Sequence, residues 1–292
     1  MKQDQKVSLH IERPGATAGH GIMRGELCVA FLQWALPHLH MRWPGFRKVR
    51  GQVCKRLQRR IKQLGLEDVP AYRRYLTQHP EEWHTLDAMA RITISRFYRD
   101  KEVFHYLTEA VLPALAQRAR ARGAERLHVW SAGAGAGEEP YTLAIIWQLQ
   151  LQASFPDLHL HIIASDADAN QCRRGQEACY PRGSLKDLPA EWLDTAFTFN
   201  AGRYCLKQRF RRDVEFRTED LRKGVPKGPF DLVLCRNLAF TYFDAKLQRT
   251  TLDHIGTVMY PGGALILGSH EHLPEGTTAF HTWNDHLRIY RL

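Results

Sequence analysis

The sequence predicts an α/β protein whose main domain is built on an open, mostly parallel sheet, with a small all-α domain before it and a small β insertion within it. Three observations carry this. A glycine-rich turn, Gly133-Ala134-Gly135-Ala136-Gly137, separates the apolar strand pattern Arg126–Trp130 from a helical pattern starting at Glu138. Two more apolar runs, His159–Ser165 and Phe230–Cys235, end in the polar groups Asp166-Ala167-Asp168 and Arg236-Asn237. The unbroken apolar stretch Leu232–Cys235 is that of a strand buried on both faces of a parallel sheet. Upstream, Phe46, Val49, Val53, Leu57, Ile61 and Leu64 recur every three or four residues, which is the period of an amphipathic helix.

In chain order, residues 1–24 contain Pro14-Gly15, Gly19 and Gly21 and are expected to form a mobile tail. Residues 25–100 form the helical domain, with Leu27–Leu39 and Phe46–Leu64 as its clearest helices. Residues 101–123 read as a linker helix with Pro113 as a candidate break. The sheet domain runs over 124–292. Within it, 180–215 interrupts the strand–helix alternation, and Ala196–Arg203 with Tyr204-Cys205-Leu206 suggests short antiparallel strands. A Pro261-Gly262-Gly263 turn then leads into the strand Ala264–Gly268.

A glycine turn between strand and helix lets a ligand approach the backbone closely, as where dinucleotide folds cradle a pyrophosphate. Here Glu138 and Glu139 fall where that pyrophosphate would lie. They would repel it and favour a cofactor with positive charge at that end, such as S-adenosylmethionine with its sulfonium and α-ammonium. The plainer reading is a tight turn and a glutamate pair that offsets the helix dipole. Asp166 sits about thirty residues further on, at the end of the neighbouring strand, where a carboxylate accepts from ribose hydroxyls. Asp168 reads equally as the cap of the next helix. The order of strand, glycine turn, helix, Asp-ended strand, strand with a polar pair, helix, Pro-Gly-Gly turn and strand is that of a class I, Rossmann-like, S-adenosylmethionine-dependent methyltransferase.

Trp130–Ala144, Ser165–Asp168, Cys235-Arg236-Asn237 with Tyr242-Phe243-Asp244, and Pro261–Glu271 resemble the CheR family of chemotaxis-receptor glutamate methyltransferases. Val53–Leu66, Tyr72–Leu76 and Ile94–Asp100 resemble that family's helical domain and the segment after it. The resemblance implies cofactor contacts at Thr93, Ser95, Arg99, Gly133, Glu138, Asp166, Asp220, Leu221, Arg236 and Asn237, with Glu139 able to exchange places with Glu138. It also implies methyl transfer to protein glutamates with S-adenosylhomocysteine as product, Arg99 orienting the acceptor and Tyr242 second to it. The chain departs from the family with Thr93 for Asn, Ser95 for Thr and Asp220 for Asn. It also has one extra residue between Asn237 and Tyr242, expected to be absorbed as a bulge, with Phe243 and Leu247 pinning the phase of the following helix.

Composition bounds the function further. Net charge is +10, and Arg42–Lys62 holds nine Lys or Arg and no Asp or Glu. Lys55, Arg56, Arg59 and Lys62 flank the apolar stripe, joined by Lys48 and Arg60. A solvated face, a nucleic-acid surface and a dock for an acidic protein helix all fit such a run; the family resemblance favours an acidic, chemoreceptor-like helix. The Asn/Asp-Pro-Pro-aromatic motif of exocyclic-amine methylation is missing, which argues against DNA or RNA. A methyltransferase of a small carboxylate or other oxygen nucleophile, and a non-enzymatic S-adenosylmethionine-binding regulatory module, stay open. No run of eighteen apolar residues occurs and the start does not read as a signal peptide, so a cytoplasmic, monomeric protein without membrane insertion is the expectation. Six scattered cysteines without paired spacing argue against disulfides and zinc. The His-x-His pairs 38/40, 159/161 and 270/272 lack further ligands and read as same-face strand residues, so no metal is expected.

Overall fold

The computed structural model describes residues 18–292, with side chains described from residue 25. In chain order the first helices are α1 (Ala18–His38), α2 (Trp43–Phe46), α3 (Arg50–Gln63), α4 (Val69–Gln78) and α5 (Glu82–Ala90). Residues 1–17 of the expected tail lie outside the described residues, and the remainder of that segment is the start of α1. The chain divides into two compact units. The first holds α1, α3, α4 and α5; the second holds Leu39–Arg47, with α2, and everything from Arg91 onward.

In the first unit, α3 buries Val53, Leu57 and Ile61, the stripe expected from the periodicity. It starts at Arg50, four residues later than the expected Phe46, because Trp43–Phe46 forms its own turn with Pro44 in its first turn. Asp68 caps α4 by accepting from the Ala71 N–H at 2.7 Å. The buried Glu82 carboxylate accepts from the Tyr72 hydroxyl at 2.8 Å and from the Arg60 fork at 2.8 and 2.6 Å. Arg60 holds the Glu82 carboxyl below its ordinary range despite burial.

From Arg91 onward, the helices of the second unit start with α6 (Lys101–Tyr106), a π turn over Leu107–Val111 and α7 (Leu112–Ala121). The expected break at Pro113 is absent. The π turn, closed by the Leu112 N–H to the Leu107 carbonyl, lets the proline fall in the first turn of α7 and the helix run on. Nor is this segment a separate linker: Val103, Phe104, Leu107, Val111 and Leu115 pack with Leu127 and Val129 in the core of the sheet domain.

The sheet elements follow as β1 (Arg126–Ala132), α8 (Glu138–Ile146), β2 (His159–Asp166), α9 (Ala169–Glu177) and β3 (Cys179–Tyr180). Then come α10 (Ala190–Ala196), β4 (Phe197–Asn200), β5 (Arg203–Leu206), α11 (Gln208–Arg211), β6 (Val214–Thr218) and β7 (Phe230–Cys235). The chain closes with α12 (Ala239–Tyr242), α13 (Ala245–Thr257), β8 (Met259–Leu267), β9 (His281–Asn284) and β10 (Ile289–Arg291). The large sheet has the order β6-β2-β1-β7-β8-β10-β9. Its first five strands are parallel, and β10 pairs antiparallel with β8 and β9. Side chains alternate across it: Val129, Leu232 and Leu234 enter one core, Trp130, Val233 and Cys235 the other. The order reverses between β1 and β7, which opens a crevice at the carboxyl ends of those strands.

The insertion is a three-stranded antiparallel sheet, β3-β5-β4, as its strand signals suggested. The cysteine reading needs correction. Cys28 is disulfide-bonded to Cys54, and Cys179 to Cys205. The second pair are register partners across β3 and β5. Both pairings arise between elements 26 residues apart, where local spacing carries no signal. Only His159 and His161 of the His-x-His pairs lie on a strand; His38 ends α1, and His270 and His272 lie outside helices and strands.

Candidate active site

The glycine turn is built as its composition requires. Gly133, Gly135 and Gly137 all have positive φ, at 72°, 56° and 91°. A Cβ on Gly133 would also meet Leu238 at 2.6 Å. The turn is hung from the neighbouring strand: the Gly133 and Ala134 N–H groups donate to the Ser165 carbonyl at 2.8 and 3.0 Å. Asp166 finishes the job. One carboxylate oxygen accepts from Gly135 N–H at 2.9 Å, the other from Asp168 N–H at 2.8 Å. Burial raises the Asp166 carboxyl above its ordinary range, and these two donors pull against it. Asp168 caps α9 by accepting from Asn170 N–H.

The structure separates the two glutamates. Glu139 accepts from the Ser131 hydroxyl at 3.0 Å and from Arg236 at 2.9 Å, so it is engaged inside the fold. Glu138 is 4 % exposed, and its Oε2 has no hydrogen-bond partner. Burial raises its carboxyl, with Ser95 hydrogen-bonding to it and drawing it back. A buried acceptor without a partner costs about 1–3 kcal/mol. An ammonium group bound beside the turn would remove that cost, so the residues present fit the positive end of S-adenosylmethionine.

The remaining expected residues fall around this turn unevenly. Ser95 lies against it, its Cβ 3.9 Å from where a Gly135 Cβ would sit, while Thr93 is exposed. Asp220 is locked by Arg222, which donates from Nε at 3.0 Å, Nη2 at 2.6 Å and the backbone at 3.0 Å. These donors outweigh burial and hold the Asp220 carboxyl below its ordinary range. Leu221 next to it is buried. The Arg236 guanidinium is buried between Asp100 and Glu139 and lies 5.5 Å over the Phe104 ring. Its side chain is therefore tied into the wall, a role that the expected cofactor contact did not anticipate. Arg99 donates to the Ile94 carbonyl at 2.7 Å.

At the end of β7, Asn237 adopts φ 55°, and the chain turns through Leu238 into the single turn α12. Of the residues between Asn237 and Tyr242, Leu238 is the turn and Ala239, Phe240 and Thr241 belong to α12. Phe243 and Leu247 do not pin the helix phase as expected, because Phe243 is not in the helix with Leu247: it forms an isolated bridge with Met41, and Asp244 caps α13. Glu271 closes the Pro261–Glu271 stretch that resembles the family, but its sequence assigns it no role. It is 1 % exposed and accepts from four donors: Asn237 N–H (2.7 Å), Leu238 N–H (3.1 Å), Thr241 hydroxyl (2.7 Å) and Gly268 N–H (2.6 Å). Of these donors only Gly268 is a sequence neighbour; the other three lie 30 or more residues upstream, where sequence carries no signal of the contact. Burial, with Glu271 nearby, raises the Tyr242 hydroxyl above its ordinary value, and Arg99 acts the other way.

A parallel sheet of this order with a glycine turn, an acidic strand end and a buried glutamate that keeps one oxygen without a partner defines a class I S-adenosylmethionine-dependent methyltransferase. The family description CheR methyltransferase, SAM binding domain, matches residues 93–288, and CheR methyltransferase, all-alpha domain, matches 48–87. The chain belongs to the CheR methyltransferase family. It is 32 % identical over 231 residues to the chemotaxis protein methyltransferase of Salmonella typhimurium, covering 76 % of each chain. It is 28 % identical to a probable chemotaxis protein methyltransferase of Rhizobium etli, covering 75 % of this chain and 83 % of that one. A 104.1 kDa protein of Rhodobacter capsulatus matches at 29 % identity over 82 % of this chain, which spans only 25 % of that protein's length.

Among the described residues, no group of three or more His, Cys, Asp or Glu comes together in a way that could hold a metal ion. Among the described residues no helix is long and apolar enough to cross a membrane.

Proposed function

We propose that the protein methylates glutamate side chains of a chemoreceptor-like protein, forming methyl esters and releasing S-adenosylhomocysteine, as a cytoplasmic monomer that needs no metal. The observation that carries this reading is the buried Glu138 oxygen without a partner beside the glycine turn. The names of the relatives support a receptor acceptor and do not favour a small carboxylate or a purely regulatory module.

S-adenosylmethionine supplies a methyl group made electrophilic by its sulfonium. Glu138 pairs with the ammonium end, with Ser95 and Thr93 beside it. Asp166, fixed by Gly135 and Asp168, keeps lone pairs for the ribose hydroxyls. Asp220, kept ionised by Arg222, accepts from the adenine amino group over Leu221. Asn237 and Gly133 complete the walls, and Arg236 braces them from behind through Glu139 and Asp100. The acceptor glutamate is ionised at neutral pH, so no general base is needed and the protein's task is alignment. Arg99 orients that carboxylate. Its grip must be light, because the charge it pairs with disappears as the ester forms. Tyr242, whose raised pKa keeps it protonated, donates a hydrogen bond and does not take a proton. Lys55, Arg59 and Lys62, exposed on α3, dock the acidic receptor helix. Arg56, expected on the same face, donates to the Met89 carbonyl at 2.9 Å and braces the helical unit.

Calorimetry with S-adenosylmethionine tests the cofactor site. Asp166→Asn exchanges one accepting oxygen for a donor against backbone N–H groups, and affinity is expected to fall about tenfold or more. Unchanged affinity would remove Asp166 from the site, and no binding by the wild type would sink the reading.

A further inference from the structure

Tyr242 is presented by a helix of a single turn, Ala239–Tyr242, a length that has no stability of its own. Its two ends are held by opposite charges. At the amino end, the Glu271 carboxylate accepts from Asn237, Leu238 and Thr241. At the carboxyl end, the Arg42 guanidinium donates to the carbonyls of Phe240 and Thr241, the latter from Nε at 3.1 Å. An anion at the start and a cation at the end match the helix dipole at both termini.

Arg42 comes from a strap, Leu39–Arg47, that belongs to the same unit as the sheet although the chain on either side of it does not. The strap lies along Phe240–Asp244 by main-chain bonds. Arg42 N–H donates to the Tyr242 carbonyl at 2.8 Å, Asp244 N–H donates to the His40 carbonyl at 2.9 Å, and Met41 bridges Phe243. Gly45 touches the Thr241 carbonyl so closely that no side chain fits there. One turn on, the Phe46 ring packs on the Tyr242 ring with centroids 5.0 Å apart. The Arg42 side chain is itself exposed and is not part of the core, so what it contributes is its fork on two carbonyls. Lysine, a single point charge on a flexible stem, cannot reproduce that fork.

We propose that Arg42 is a positioning residue, 200 positions upstream in sequence, that acts on methyl transfer through Tyr242 by fixing the helix turn that presents it. This rests on the reading above that Tyr242 meets the acceptor. The test is a double-mutant cycle on the full chain. Arg42→Ala, Arg42→Lys, Tyr242→Phe and the Arg42→Ala/Tyr242→Phe double variant are assayed for methyl transfer to membranes bearing the host's chemoreceptors, with cofactor affinity measured alongside.

Arg42→Ala is expected to lower kcat about tenfold with KM and cofactor affinity within twofold, and Arg42→Lys to restore less than half of the loss. In the Tyr242→Phe background the Arg42→Ala effect is expected to shrink below twofold. A second readout needs no acceptor: with ring-labelled tyrosine, the NMR resonance identified by its loss in Tyr242→Phe should move in both Arg42 variants. Wild-type kcat in Arg42→Ala, the same fold-loss in both backgrounds, or an unmoved Tyr242 resonance would overturn the proposal while leaving the Tyr242 reading intact. Full activity in Tyr242→Phe would overturn that reading and this one together.

Discussion

Glu138 and Glu139 are adjacent and chemically identical, yet the fold gives them different work, and no sequence pattern distinguishes them. Glu139 neutralises Arg236 inside the wall, whereas Glu138 keeps a buried oxygen without a partner. The sequence reading could see that two carboxylates follow the glycine turn, but which one is left for a cation depends on a residue 97 positions away. The same limit hid the bonds of Glu271 to Asn237, Leu238 and Thr241 and those of Arg236 to Asp100 and Glu139, since these partners lie far away in sequence. Glu138 leads to a pH prediction. Burial raises its carboxyl, so in the free protein it takes up a proton at a higher pH than an ordinary glutamate. Ionising it costs stability in the free protein as pH rises through the raised pKa. A bound cation favours the charged form. Cofactor affinity should therefore increase as pH rises through that raised pKa and level off above it, with Asp166 adding in the same sense. Calorimetry between weakly acidic and neutral pH should show this slope, and Glu138→Gln should remove most of it while weakening binding about tenfold. An identical slope in the glutamine variant would show that another group supplies it.

At the scale of elements, periodicity made α3 legible and also located its charges, because Val53, Leu57 and Ile61 had to face inward. It could not show that Arg56 and Arg60 turn back to Met89 and Glu82. On the proposed reading, docking falls to the exposed Lys55, Arg59 and Lys62. Replacing Lys55, Arg59 and Lys62 by Glu should abolish transfer to the receptor while cofactor affinity stays within twofold of wild type. Transfer at the wild-type rate would mean the face serves solubility alone. The small sheet β3-β5-β4 was also legible, from its strand and turn signals, and it packs Tyr180, Phe197 and Leu206 into the main core. Because this insertion is compact, transfer is expected not to depend on a peptide tether at the acceptor's end. Truncating the acceptor's terminal residues should leave the rate unchanged, and a large loss would identify the sheet as a peptide clamp. The helix across Pro113 and the start of α3 differ from expectation because a π turn and a neighbouring proline turn shift helix ends in ways that residue type alone does not encode.

For the whole molecule, the order of strands and the polar residues at their carboxyl ends were readable because a parallel sheet needs continuous apolar strands and leaves its ligands to the edge. The division into units was readable only in outline, since Leu39–Arg47 sits in the midst of the helical sequence yet belongs with the sheet. The cysteine pairs were not readable, as each joins elements that meet only in the folded chain. The central claim is methyl-ester formation on protein glutamates. It is tested most directly by incubating the protein with methyl-labelled S-adenosylmethionine and receptor-bearing membranes, then treating the washed protein fraction with mild alkali. The account predicts label on a receptor-sized protein that alkali releases as methanol, absent when Arg99→Ala replaces the wild type. Label that resists alkali, or that appears only on small molecules, would contradict it.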